Sequence, residues 1–180
     1  MDALVSSAFD RYEKVYPATS TPDMKRLDPK GTEGVKPFKA KKADLKYKGE
    51  KIAEPLAFLP VFPGTNCDYD SAKAFRKAGA KVKFGVFRNL TEQDVNDSIE
   101  EMKRNIDECQ ILMLCGGFSA GDEPDGSGKF IANVLNNEKI AAAIEALIAR
   151  GGLILGICNG FQALVKSGLL PYGHLGCVTK

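Results

Sequence analysis

The sequence has 180 residues, enough for one ordinary domain with a core, or for a domain plus a tail. A formal charge of +2 argues for neither nucleic acid nor a membrane surface, and five cysteines without C-x-x-C spacing beside a single His exclude a disulfide framework and a zinc site. No apolar run reaches the ~18 residues of a membrane span, and Asp2, Asp10 and Arg11 interrupt any signal peptide, so a cytoplasmic, reducing setting is expected.

The charge is unevenly placed. Residues 1–52 hold 12 Lys/Arg against 8 Asp/Glu, and residues 53–180 hold 13 against 15. Ala3 to Val15 could form a helix. From Tyr16 to Lys51, however, the chain carries Pro17, Pro22, Pro29, Pro37 and ten Lys/Arg with few large apolar residues. Such a stretch buries little, so residues 1–52 read as a linker or as an arm lying on another domain. A basic arm for nucleic acid fits poorly, because acids interleave and aromatics are sparse.

From Leu56 the pattern changes to alternating strands and helices. Leu56 to Phe62 is a first strand, in which Pro60 suggests a bend. A loop from Pro63 to Asp68 leads to a helix capped by Asp68 or Asp70 and ended by Gly79. Lys81 to Phe87 is a second strand. Thr91 to Glu108 has Val95, Ile99, Met102 and Ile106 at helical spacing behind an [ST]-x-x-[DE] cap at Thr91 and Asp94. Ile111 to Cys115, wholly apolar, is a third and central strand. A long loop from Gly116 to Gly128 precedes helical stretches to about Asn136 and from Glu138 to Arg150, and Leu153 to Ile157 is a fourth strand. Strands separated by helices of this length predict right-handed β-α-β units, hence an α/β fold: a three-layer parallel sheet with helices on both faces. Ligands of such sheets bind beyond the carboxyl ends of the strands, where the loops Pro63–Asp68, Gly116–Gly128 and the turn at Cys158 emerge.

The stretch Gly156-Ile157-Cys158-Asn159-Gly160-Phe161-Gln162 carries the chemistry. Cys158 stands between a strand and a helical pattern that places Phe161, Leu164 and Val165 on one face and stops at Gly168. A glycine two places to each side makes this the nucleophile-elbow arrangement, with Cys in place of Ser. Neighbouring strand and helix leave no room for side chains at Gly156 and Gly160, and the turn strains the nucleophile's backbone. The competing reading is a small buried cysteine followed by helix-packing glycines.

Acyl transfer also needs oxyanion donors and a base. The backbone N–H of Asn159 is one natural donor, and the Gly116-Gly117 pair after the third strand can bring a second. The remaining loop lacks G-x-x-x-x-G-K-[ST] and holds Asp122, Glu123 and Asp125, which would repel phosphate, so nucleotide binding is rejected there. Cys67 is a rival thiol, but no glycine pair makes room around it, and a packed structural role is expected. His174, the one histidine, follows a helix of about eight residues that carries the chain ~12 Å from the thiol, which makes it a poor base.

Phe62-Pro63-Gly64-Thr65-Asn66-Cys67-Asp68, Cys115-Gly116-Gly117-Phe118-Ser119-Ala120-Gly121-Asp122 and the Cys158 elbow together resemble the glutaminase domains of phosphoribosylformylglycinamidine synthases, a family of class I (triad) glutamine amidotransferases. The likeness runs from about Leu56 to Gly173. It implies a flavodoxin-like fold, here incomplete at its C-terminal side, in which Cys158 attacks the side-chain amide of glutamine and releases ammonia. Gly117 and Asn159 would hold the oxyanion, and Gln162, Phe118 and Ser119 would contact the substrate. The ammonia would pass to an ATP-dependent synthetase portion of the same or a partner chain, with ATP and Mg bound there and no cofactor or metal in this domain. The family's His and Glu partners come from a later strand and loop than Lys180, so the resemblance implies a piece that is inactive alone. A non-catalytic docking module and another Cys-elbow hydrolase of flavodoxin-like fold are the alternatives.

Overall fold

The computed structural model describes residues 51–122 and 128–176. The arm expected over residues 1–52 falls almost entirely outside them, as does the middle of the Gly116–Gly128 loop. Four strands, β1 (Leu56–Val61), β2 (Lys81–Val86), β3 (Ile111–Leu114) and β4 (Leu153–Gly156), alternate with helices. These are α1 (Asp68–Lys77), α2 (Glu92–Glu108), α3 (Lys129–Leu135), α4 (Glu138–Ala149), α5 (Asn159–Ser167) and the single turn α6 (Leu169–Tyr172). Every strand pair is parallel and the order is β2-β1-β3-β4. The chain steps one way from β1 to β2 and the other way to β3 and β4. The loops after β1 and β3 therefore open side by side at the point where strand order reverses.

The strands divide the core by their two-residue period. Phe58, Leu112 and Leu114 point to one face, where they meet Ile99, Met102 and Ile106 of α2, Ile131 and Leu135 of α3, Ile140, Ile144 and Leu147 of α4, and Ala163 and Leu164 of α5. Ala57, Leu59 and Met113 point to the other, with Ala72 of α1, Cys115 and the half-buried Phe75. Helices thus cover both faces, giving the three-layer α/β architecture. Each fully buried Leu, Ile or Phe on these faces is worth roughly 1.5–3 kcal/mol.

Strand and helix ends fall within a residue or two of expectation, and four local details differ from it. Pro60 does not interrupt β1, which pairs with β2 as far as Val61. Val61 and Pro55 accept bonds from the β2 side while Leu56 accepts one from Gln110 before β3, so even-numbered residues face β3. The N–H that Pro60 lacks is on that side, and pairing with β3 ends at Phe58. Neither Asp68 nor Asp70 caps α1. The cap position is Cys67, without a side-chain bond, and the two acids occupy the first turn, where the helix dipole favours them. Cys67 itself is exposed rather than packed. On α5 the buried face is Asn159, Gly160, Ala163, Leu164 and Ser167, while Phe161 (51%) and Val165 (41%) are exposed. Close backbone packing selects the small residues for the inner face: a Cβ on Gly128 would stand 2.7 Å from the Ala163 nitrogen.

The cap at Thr91 forms as expected, its hydroxyl accepting the Asp94 N–H at 3.0 Å and donating to the Asp94 carboxylate at 2.9 Å. The other end of α2 has no basic residue in its last turn. Arg150, just after α4, fills that need by donating to the Ile106 and Cys109 carbonyls. Arg150→Met is expected to cost about 1–2 kcal/mol, since it strands helix-terminal carbonyls while keeping an apolar stem. A urea-unfolding midpoint indistinguishable from the wild type would refute this.

Candidate active site

β4 ends at Gly156 and α5 begins at Asn159, so the chain reverses through Ile157 and Cys158 alone. The space is as tight as the glycine spacing predicts. A Cβ on Gly156 would lie 2.6 Å from Leu164 Cδ1 and 2.8 Å from the Gly160 carbonyl, and one on Gly160 would lie 2.1 Å from the Leu114 oxygen. Cys158 has φ 52° and ψ −111°. That positive-φ backbone costs a residue with a Cβ on the order of 1–2 kcal/mol. The thiol is exposed. The reading of Cys158 as a small buried cysteine therefore does not describe the molecule.

The loop after β3 reaches this elbow. A Cβ on Gly116 would stand 3.5 Å from the Cys158 Cβ and 3.4 Å from the Cys67 sulfur, so both thiol-bearing residues border the same gap. Gly117 (φ 146°) pairs with Thr65 in an isolated antiparallel bridge, in which Phe118 N–H donates to Gly64 at 2.9 Å and Asn66 N–H to Gly116 at 3.2 Å. A side chain at Gly117 would meet the Gly64 oxygen at 2.3 Å. Among the described residues, neither the Gly117 N–H nor the Asn159 N–H is given to an acceptor.

Asn159 is 1% exposed. Its Oδ1 accepts the Ser119 N–H at 3.1 Å, and its Nδ2 donates to both Asp122 oxygens (3.1 and 2.9 Å) and to Gln162 Oε1 at 3.2 Å. Ser119 is buried, with its hydroxyl toward Asp122 Oδ1 at 3.4 Å, whereas Phe118 and Gln162 are exposed around the opening. Cys158, Gly117, Asn159, Ser119, Phe118 and Gln162 thus come together from two loops and one helix end. Asp122 joins them, a residue that sequence reasoning treated only as a charge unfavourable to phosphate. Its position within the Cys115–Asp122 stretch was the available signal. His174 does not join them: Gly176 N–H bonds to the Ser167 carbonyl at 3.2 Å, which ties that segment to the far end of α5.

The four described thiols differ in burial. Burial pushes the Cys109 thiol up to about 11 and raises that of Cys115 as well, while Cys67 and Cys158 are exposed. Alkylation proceeds through the thiolate, so at neutral pH iodoacetamide should modify Cys67 and Cys158 first and spare Cys109 and Cys115 until denaturant is added. Peptide masses taken over time check the order, and early loss of Cys109 would contradict it.

Residues 54–177 match the family model described as a CobB/CobQ-like glutamine amidotransferase domain. The chain belongs to this family. Within it, the amidotransferase domain is 40% identical over 109 residues to phosphoribosylformylglycinamidine synthase subunit PurQ of Dehalococcoides mccartyi, covering 61% of this chain and 38% of that one. It is 41% identical over 106 residues to the subunit of the same name from Methanococcus maripaludis strain C5, covering 59% and 35%. A solved structure titled as PurLQS from Thermotoga maritima shares 33% identity at a TM-score of 0.47, over 65% of this chain and 46% of that chain. The chain spans less than half the length of the curated relatives it matches. Among the described residues of the amidotransferase domain no helix is long and apolar enough to cross a membrane, and no cluster of His, Cys, Asp and Glu could hold a metal ion.

Proposed function

We propose that this chain carries the nucleophile half of a glutaminase that supplies ammonia to a phosphoribosylformylglycinamidine synthase. The observation that carries the reading is the exposed Cys158 at a positive-φ β4–α5 turn, bordered by the glycine loop after β3. The sulfur adds to the side-chain carbonyl carbon of glutamine, and the N–H groups of Gly117 and Asn159 receive the developing oxyanion. Collapse of that intermediate expels ammonia and leaves a γ-glutamyl thioester, which water cleaves to glutamate. Gln162 and Phe118, at the rim, contact the substrate, while Ser119 shapes the wall behind them. His174 is not assigned as the base, because its segment is tied to the opposite end of α5.

The names of the relatives support the link to a phosphoribosylformylglycinamidine synthase. The ammonia goes to an ATP-dependent synthetase portion, on the same or a partner chain, where ATP and Mg are bound, and this domain uses no cofactor of its own. The test is covalent labelling of the intact chain by 6-diazo-5-oxo-L-norleucine, a glutamine-shaped electrophile. Labelling at Cys158 that glutamine blocks and that Cys158→Ala abolishes supports the reading. Labelling blocked equally by asparagine or unrelated amides would favour a different Cys-elbow hydrolase, and no labelling would leave a non-catalytic docking module.

A further inference from the structure

Among the described residues three non-glycine residues have positive φ: Ala120 (50°), Asp122 (55°) and Cys158 (52°). All three belong to the two loops that meet at Asn159. Residues with a Cβ rarely adopt this backbone, so the surrounding bonds must hold it against its own preference.

The bonds converge on one carboxylate. Asp122 takes the Asn159 Nδ2 on both oxygens and the Gly128 N–H on Oδ1 at 3.0 Å, closing the loop on which it stands. The Asn159 amide can sit only one way: a carboxylate accepts the NH₂, and the Ser119 N–H needs the oxygen. The elbow residue is thereby locked to Ser119, two positions past Gly117. We propose that Asp122 is a positioning residue for the oxyanion donors, an inference that rests on the glutaminase reading. Its charge fixes the orientation of the Asn159 side chain, and that side chain sets the register between the Asn159 N–H and the Gly117 N–H. Replacing Asp122 by asparagine turns one of the two acceptor oxygens facing Asn159 into an NH₂ donor and removes the charge from the remaining bonds, so the two loops are held together less tightly.

The experiment uses two reagents on the intact chain. With γ-glutamyl p-nitrophenyl ester the Cys158 sulfur adds to the ester carbonyl and its proton passes to solvent. The nitrophenolate leaves with the bonding electrons, and one thioester forms per chain. This step depends on the oxyanion donors but not on protonation of the leaving group. Iodoacetamide alkylates the same sulfur with no oxyanion. Asp122→Asn and Asn159→Ala are each expected to slow the nitrophenolate burst roughly 10- to 100-fold, with iodoacetamide labelling of Cys158 changed by no more than about twofold. The double variant should be no slower than the slower single one, since both remove the same constraint. A burst at the wild-type rate in Asp122→Asn, an equal loss with both reagents, or additive losses in the double variant would overturn the positioning role. A wild-type chain that iodoacetamide labels at Cys158 but the ester never acylates would overturn the glutaminase reading, and the positioning role with it.

Discussion

Cys158→Ala abolishes glutamine-dependent turnover by the intact synthase, by roughly 10⁴-fold or more, and leaves turnover with added ammonium salt near the wild-type rate. The expectation follows from the division of labour proposed above. On that reading the thiol forms the covalent bond to glutamine, and the other described sulfur at the gap by Gly116, that of Cys67, belongs to the start of a different helix. Ammonia from solution bypasses this step. The alanine keeps a Cβ and suits the same backbone, so the surface offered to the proposed synthetase partner is unchanged. Steady-state assays with each nitrogen donor decide the matter. A variant that still uses glutamine would show that Cys158 is not the nucleophile. One that loses both activities would show that the substitution damages the assembly rather than the chemistry.

Gly160→Ala destabilises the domain by on the order of 3 kcal/mol or more, although the change adds one methyl group. The new Cβ would sit 2.1 Å from the Leu114 oxygen and 2.6 Å from its carbonyl carbon. Those atoms are backbone of a central strand and cannot rotate away. The helix must therefore lift from the sheet, losing contacts of Leu164 and Ala163 with the large core. Gly79→Ala provides the comparison, because there φ is +90° but nothing stands within 4 Å of the added carbon. Only the backbone penalty of about 1–2 kcal/mol applies at that site. Urea unfolding of both variants should separate them clearly. Equal midpoints would mean that α5 can move off β3 freely, and the close-packed account of the elbow would fail.

These predictions draw on information that was legible to different degrees. The strand-helix alternation, the cap at Thr91 and the stop at Gly168 could be read directly, because each depends on a few consecutive residues. Phe161 and Val165 are the instructive failure. Helical spacing places them beside Leu164, but spacing alone does not say which side of an apolar stripe meets the sheet. Close backbone approach decides that: the Leu114 oxygen leaves no room for a Cβ at Gly160, and the backbone at Ala163 packs against Gly128. Pro60 teaches a similar lesson: its effect depends on which neighbour the missing N–H faces, a property of strand order rather than of the strand.

What the sequence determined by itself was the α/β class and the cramped turn at Cys158, since periodicity and the spacing of Gly156 and Gly160 act over fewer than ten residues. Tertiary structure alone decided the contact of Asn159 with Ser119 and Asp122, residues 40 and 37 positions away. Those partners meet because β3 lies next to β4 in the sheet and both release their chains at the same edge. Hydrogen bonds act over about 3 Å, so no local pattern can announce a bond whose two ends are brought within that distance only by the order of the strands.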